Sequence, residues 1–272
     1  MMERQLTLMA VHAHPDDEVL STGGALAAAA AEGIRTVLVT CTNGEQGDGP
    51  GGAKPGTPGH DEAQVRAVRL AELNESVALL GISDLELLGY ADSGMVGWAA
   101  NESPTAFANV PLEESVGRLV ALMERYRPDV VVTYDENGGY GHPDHIRAHR
   151  ITVAAIEASG IPAKFYHTAI PRARFAELFE YLRSSGADIG DFELPEDFGT
   201  PDEQITTFVD VSREVERKVK ALEAHASQGE NIFLLRLPEE GKHRALGQEC
   251  FIRQFSSVPV PEHEDDLFAG LR

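Results

Sequence analysis

The sequence predicts an α/β fold built on a mostly parallel sheet with helices on both faces. Three observations carry that expectation. Short apolar runs alternate with longer helical patterns through the first 160 or so residues. The runs at Leu6–Val11 and Asp129–Tyr134 are bounded by turn residues and read as buried strands. Gly33 and Gly81 stand where two helical patterns should end.

Taken in order, Leu6 to Val11 is the first strand, Val19 to Glu32 a helix, and Arg35 to Thr40 the second strand. Asn43 to His60, rich in Gly and Pro, is too long for an ordinary connection and reads as a functional or mobile loop. Asp61 to Leu80 is a helix and Leu85 to Leu88 a strand. Asp92 to Asn109, which holds the only tryptophan, Trp98, reads as a second long loop over the same rim. Pro111 to Tyr126 is a helix, Val130 to Tyr134 a strand, and His145 to Ser159 a helix. This βαβαβαβα order is Rossmann-like and defines a core over residues 1–160.

Residues 161–272 read as an elaborated C-terminal part of the same domain. Lys164 to Ala169 and Ile205 to Val209 are strands, while Pro171 to Ser185 and Ser212 to Ala226 are helices. Asp188 to Asp202 and the tail after Ser256 read as surface elements.

A net charge of −21, with 23 Lys plus Arg, argues against nucleic acid or an anionic membrane as the main partner. A small neutral or cationic substrate suits it better. The only cysteines, Cys41 and Cys250, make a disulfide framework unlikely and favour a reducing compartment. No apolar run of about 18 residues and no secretory signal is present, so a cytoplasmic location is expected.

Chemistry concentrates in two segments, His14-Pro15-Asp16-Asp17-Glu18 and His142-Pro143-Asp144-His145, each just after an apolar strand. In open α/β sheets the ligand crevice lies outside the carboxyl ends of the strands, where the two segments could meet. Two His and one carboxylate make a three-point metal site with open positions, and a spare Asp is a candidate base. His14 and Asp17 stand three residues apart on a strand-to-helix turn, with Asp16 placed to reach bound water. His142 and His145 repeat the spacing, and Asp144 can orient an imidazole. Gly138, Gly139 and Gly141 allow close approach to a ligand. A single His-x-x-Asp on a turn is more often a cap; the recurrence after two buried strands singles these out. His149 lacks the Glu of a His-Glu-x-x-His protease and reads as structural or as a helix-surface residue, and His12 as packed.

These residues resemble the LmbE/PIG-L family of metal-dependent de-N-acetylases, through Ala13–Glu18 and Thr133–His145. With Ala91–Met95 they are similar to its mycothiol branch, N-acetylglucosaminyl-inositol deacetylase and mycothiol S-conjugate amidase. The likeness runs to about Ile156 and resumes at Ala224–Gln228 and Asp266–Gly270. It implies one Zn²⁺ per chain, or Fe²⁺, held by His14, Asp17 and His145, with Asp16 as general base. It further implies His142 as general acid or oxyanion stabiliser, held by Asp144, and Tyr140 polarising the amide carbonyl. Arg69 and Asp92 would grip sugar and inositol hydroxyls, with Glu45 at the same rim. The substrate implied is a small N-acyl amino sugar, and a homo-oligomer is compatible.

Ser21 stands where the conjugate amidases often carry lysine, which favours the deacetylase; Glu136 and Phe268-Ala269-Gly270 lean the other way. A deacetylase of a specialised-metabolite amino sugar also fits. A non-haem Fe(II) oxygenase shares a two-His, one-carboxylate triad, but the βαβα order opposes it and leaves Asp16 idle. A nucleotide-binding regulatory module ranks last, because Gly23-Gly24 does not form Gly-x-Gly-x-x-Gly.

Overall fold

The computed structural model describes residues 4–185, 198–228 and 233–272. Its core is the expected run of β1 (Thr7–His12), α1 (Asp17–Ala31), β2 (Arg35–Thr42), α2 (Glu62–Leu80), β3 (Asp84–Tyr90), α3 (Leu112–Tyr126) and β4 (Val130–Thr133). A single turn, α4 (Gly138–Gly141), then leads into α5 (Pro143–Ser159) and β5 (Lys164–Ala169). The first five strands are parallel, and the sheet order is β3-β2-β1-β4-β5-β7-β6. The chain therefore builds outward from β1 through β3 and then returns to place β4 on the other side of β1. That reversal is a topological switch point, and it opens a crevice at the carboxyl ends of β1 and β4. Both motifs follow those two strands.

Register and alternation bury the strands that carry the motifs on both faces. β1 is buried along its whole length, pairing Leu8 with Val130 and Ala10 with Val132 on one side and Met9 with Val37 on the other. Leu8 and Ala10 face a core that includes Leu26, Leu38 and Leu73, while Met9 and Val11 face Val39, Leu119 and Ile151. Helices α1 and α2 cover the first face and α3 and α5 the second. The Asp61 side chain caps α2 by accepting from the N–H groups of Ala63 (3.0 Å) and Gln64 (3.2 Å), and Gly81 ends it at φ 74°.

The C-terminal part departs from expectation. Beyond α6 (Arg172–Ser185), β6 (Thr207–Asp210) and α7 (Val215–Ala224), two unforeseen elements occur, α8 (Glu239–Leu246) and β7 (Gln248–Ser256). Strand β7 runs antiparallel between β5 and β6, so the sheet is mixed at this edge. The tail is only partly a surface element: Glu262 and His263 are exposed, but Glu264, Leu267 and Phe268 are buried. Its anchor is the fully buried Lys164, whose ammonium is paired with Glu264; the same carboxylate accepts from Tyr166 Oη at 3.0 Å. Residues 188–197 of the acidic stretch lie outside the described residues, and Asp202 at its end is exposed. Among the described residues no helix is long and apolar enough to cross a membrane.

Candidate metal centre

The first motif is a turn between β1 and α1. Its Asp16 sits at φ 116°, a left-handed conformation that costs a non-glycine residue energy and is kept only where the surroundings impose it. The second motif begins α5, with His142 at the N-cap and Pro143 in the first turn, where a missing N–H costs nothing. The helix therefore starts two residues before the expected His145.

Three side chains meet at the switch point. His14 Nδ1 lies 3.2 Å from Asp17 Oδ2, His145 Nε2 lies 3.4 Å from Asp17 Oδ1, and the two imidazole nitrogens are 3.3 Å apart. Ligands about 2.0–2.1 Å from a tetrahedral ion stand roughly 3.3–3.4 Å from one another, so these separations fit a single ion. The outer nitrogens of both imidazoles are occupied. His14 Nε2 is 3.2 Å from Asp144 Oδ2, and His145 Nδ1 is 3.1 Å from the Gly138 carbonyl, so in the neutral rings the facing nitrogens carry the lone pairs. Burial opposes a charge on His14, but Asp92, Asp144 and Asp17 hold its imidazole well above the usual range. Asp17 Oδ2 accepts from the His14 N–H (2.7 Å) and from Tyr134 Oη (2.8 Å). Burial opposes the charge on Asp17, but His145 and His14 hold its carboxyl well below the usual range.

His142 joins the same cluster, its ring 4.5 Å from that of His14 and 5.0 Å from that of His145. Its Nδ1 accepts the Asp144 N–H at 3.1 Å, so the neutral ring carries its proton on Nε2. Burial, His14 and His145 push the imidazole down to about 3. A protonated Nε2 is a hydrogen-bond donor and not a ligand. The expectation that Asp144 holds His142 is thus corrected: only its backbone does so. The Asp144 carboxylate is turned to His14 and is fixed by Ser93, whose N–H donates at 2.8 Å and whose hydroxyl also binds it.

Asp16 lies at the edge of the cluster, a quarter exposed, with Oδ2 2.9 Å from Arg69 Nη2. Burial raises its carboxyl to about 6 against the opposing pull of Arg69. Arg69 itself does not line the rim. It is only 4 % exposed, and it donates to the carbonyls of Gly44 (2.7 Å) and Pro15 (2.6 Å) as well as to Asp16. Its place on α2 points it under the motif turn, so it braces the candidate base. Asp92 is also buried; it lies 3.6 Å from His14 Nε2 and accepts from the Gly94 N–H at 2.8 Å. Glu45, in the loop after β2, keeps Oε2 buried without a hydrogen-bond partner, and burial together with Asp92 raises its carboxyl. Tyr140 is 63 % exposed with its ring 5.0 Å from His145, and desolvation together with Asp17 pushes its phenol above the usual range.

Sequence reasoning gave no role to Tyr134, which donates to Asp17 and stacks on His145 with ring centroids 4.2 Å apart. It also missed Ser93. Both stand inside the quoted signatures, yet what they touch depends on the fold. His12 is packed as expected, on Thr22 Oγ1 (2.8 Å), and His149, half-buried, binds the Tyr134 carbonyl (3.0 Å).

Fold and site together define a doubly wound α/β domain with a His/Asp cluster, compatible with a metal ion, at its switch point. The chain belongs to the PIG-L family, GlcNAc-PI de-N-acetylase, whose model matches residues 9–156. It is 42 % identical over 278 residues, 97 % of this chain and 95 % of the relative, to the 1D-myo-inositol 2-acetamido-2-deoxy-alpha-D-glucopyranoside deacetylase of Acidothermus cellulolyticus. The enzyme of the same name from Saccharomonospora viridis is 43 % identical, over 97 % of this chain and all of its own. Among solved structures, a deacetylase of teicoplanin biosynthesis superposes with a TM-score of 0.60 at 22 % identity, covering 91 % of this chain and 97 % of its own. The 4-carboxy-2-hydroxymuconate hydratase of Pseudomonas putida KT2440 superposes as well, TM-score 0.59 at 18 % identity, over 94 % of this chain and 99 % of its own. Such likeness establishes the fold; the reaction must be argued from the site.

Proposed function

We propose that this protein hydrolyses the N-acetyl amide of an N-acetylglucosaminyl-inositol, using one zinc ion held by His14, Asp17 and His145. The observation that carries the metal reading is the convergence of His14 Nδ1, His145 Nε2 and the Asp17 carboxylate within 3.2–3.4 Å of one another, Oδ2 toward His14 and Oδ1 toward His145, with the outer nitrogens of both imidazoles already bonded. Two imidazoles and a carboxylate are ligands zinc accepts, and Fe²⁺ fits the same set. The substrate reading is supported by the curated relatives, which are named deacetylases of that glycoside at about 40 % identity over nearly the whole chain. They favour the deacetylase over the conjugate amidase.

A bound divalent ion would supply Lewis-acid chemistry, polarising a carbonyl and making water acidic. The chain's own residues do the rest. Asp16, about 6 and therefore ionised at neutral pH, accepts the proton of the attacking water while Arg69 holds its carboxylate in place. The N–H on His142 Nε2 donates to the carbonyl oxygen as negative charge gathers there, and the Tyr140 hydroxyl is a second donor. The Asp144 N–H on His142 Nδ1 supports the oxyanion role over the acid role, because an imidazolium would set two N–H groups against each other. Asp16 can then return its proton to the leaving amine. Glu45 and Asp92 remain the candidates for the sugar and inositol hydroxyls, Glu45 because its buried Oε2 lacks a partner.

The test is to supply the zinc-loaded protein with N-acetylglucosaminyl-inositol, free N-acetylglucosamine and a mycothiol S-conjugate, and to follow release of primary amine. The glucosaminyl-inositol should have the highest kcat/KM. A preference for the S-conjugate would move the protein to the other branch.

A further inference from the structure

Three residues of one short stretch beyond the span matched by the family model, His225, Ser227 and Gln228, reach back to the motif turn, to α2 and to the loop after β2. His225, fully buried after α7, directs Nε2 to Glu18 Oε1 at 2.8 Å. The same carboxylate accepts from Ser76 Oγ at 2.6 Å and, through Oε2, from the Asp16 N–H at 3.0 Å. Ser227 donates its N–H and its hydroxyl to the Glu72 carboxylate of α2, each at 2.7 Å. Gln228, buried, accepts the Asp48 N–H at 3.1 Å and returns a bond from Nε2 to the Asp48 carbonyl at 3.0 Å. A side-chain amide thus satisfies both backbone groups of one loop residue, as a neighbouring strand would. The approach is close: a Cβ on Gly47 would lie 2.7 Å from Gln228 Oε1 and 2.6 Å from Arg69 Nη1.

We propose that His225–Gln228 is a positioning clasp, with one arm fixing the backbone of Asp16 through Glu18 and the other fixing the rim loop that carries Glu45. The proposal rests on the reading of Asp16 as the base. Asp16 is held in a left-handed conformation, and its N–H is tied down by a carboxylate that His225 and Ser76 hold in turn. None of the four residues touches His14, Asp17 or His145, so they act through others. The two arms lead to different steps. Releasing the loop weakens substrate binding, whereas releasing Glu18 misplaces the base.

Gln228→Ala should raise KM for the glucosaminyl-inositol about tenfold with kcat nearly unchanged, the loss of two ordinary hydrogen bonds. His225→Ala should lower kcat on the order of 10²-fold with KM little changed, as misplacement of a reacting group does. His225→Gln, which keeps a donor toward Glu18, should recover most of that loss, and Ser76→Ala, which opens almost no space, should lower kcat alone. Hydrogen exchange supplies a readout that needs no substrate: amides of residues 43–60 should exchange at least tenfold faster in Gln228→Ala and not in His225→Ala. If those amides quicken while the wild type fails to release amine, the substrate reading fails and the clasp stands. Equal changes of kcat and KM in both variants, or unaltered exchange in Gln228→Ala, would overturn the clasp.

Discussion

Replacing Arg69 separates two views of what lies beneath the active turn. As a rim residue, which the family likeness implies, it would matter only to a substrate with hydroxyls. Its contacts say otherwise, for Arg69→Ala removes bonds to the Gly44 and Pro15 carbonyls and to the Asp16 carboxylate together. Breaking a buried charge pair by removing one partner costs about 3–5 kcal/mol, and the lower end applies because Asp16 is 25 % exposed. Urea denaturation should show that loss as a lower midpoint with an unchanged slope. Activity should fall by about 10²-fold or more, to the same degree for N-acetylglucosaminyl-inositol and for a minimal N-acetyl amine, since the lesion lies at the base. The pH profile gives a third readout. As the proposed base, Asp16 would work as its anion, so kcat/KM should rise as pH passes its pKa; the guanidinium lowers that pKa, and its removal should move the acid limb upward by roughly 1–3 units. A loss confined to the glycoside, with the acid limb unmoved, would refute the bracing role and restore Arg69 to the rim.

Other substitutions probe the remaining parts. Asp16→Asn should keep the metal, because Asp16 is not among the three converging donors, yet lose on the order of 10²–10⁴-fold in turnover; metal analysis alongside kcat checks both halves. Gly138→Ala should release the metal, since Gly138 sits at φ 63° and a Cβ there would lie 2.6 Å from His145 Cβ and 2.7 Å from the Ile146 nitrogen. Zinc retained at full stoichiometry in that variant would show that the Gly138 carbonyl does not orient His145. Glu264→Gln should lower stability by several kcal/mol through the stranded Lys164 ammonium without altering kcat; equal stability in thermal unfolding would contradict the anchoring of the tail.

What could be read from the chain beforehand was whatever local pattern determines. Strands β1 to β5 and helices α1 to α3 stood out because their apolar runs and caps are contiguous, and Lys164–Ala169 matched to the residue. Strand β7 did not, because Gln248–Ser256 mixes Gln, Glu, Arg and Phe, and its place depends on pairing with β5 from the far end of the domain. Helix α8 is eight residues long and carries Gly241, too short a stretch for periodicity to show. The candidate metal ligands were legible as spaced motifs, but the partners that orient them were not. Asp144 pairs with His14 across 130 residues, and nothing near Asp144 in sequence points to that ring. Arg69 stands among exposed charges on α2, so its burial shows only once Gly44 and Pro15 close over it. Charges buried by long-range pairing are the features a single sequence hides most completely.

On the proposed reading, His14, Asp17 and His145 hold one ion, and this ion makes the protein a deacetylase. Amine release from N-acetylglucosaminyl-inositol, measured while zinc is titrated into chelator-stripped protein, tests it most directly. The rate should start near zero, climb in proportion to added zinc, and level off at one equivalent per chain. Full turnover in the stripped protein, or a bound equivalent of zinc with no amine released, would contradict it.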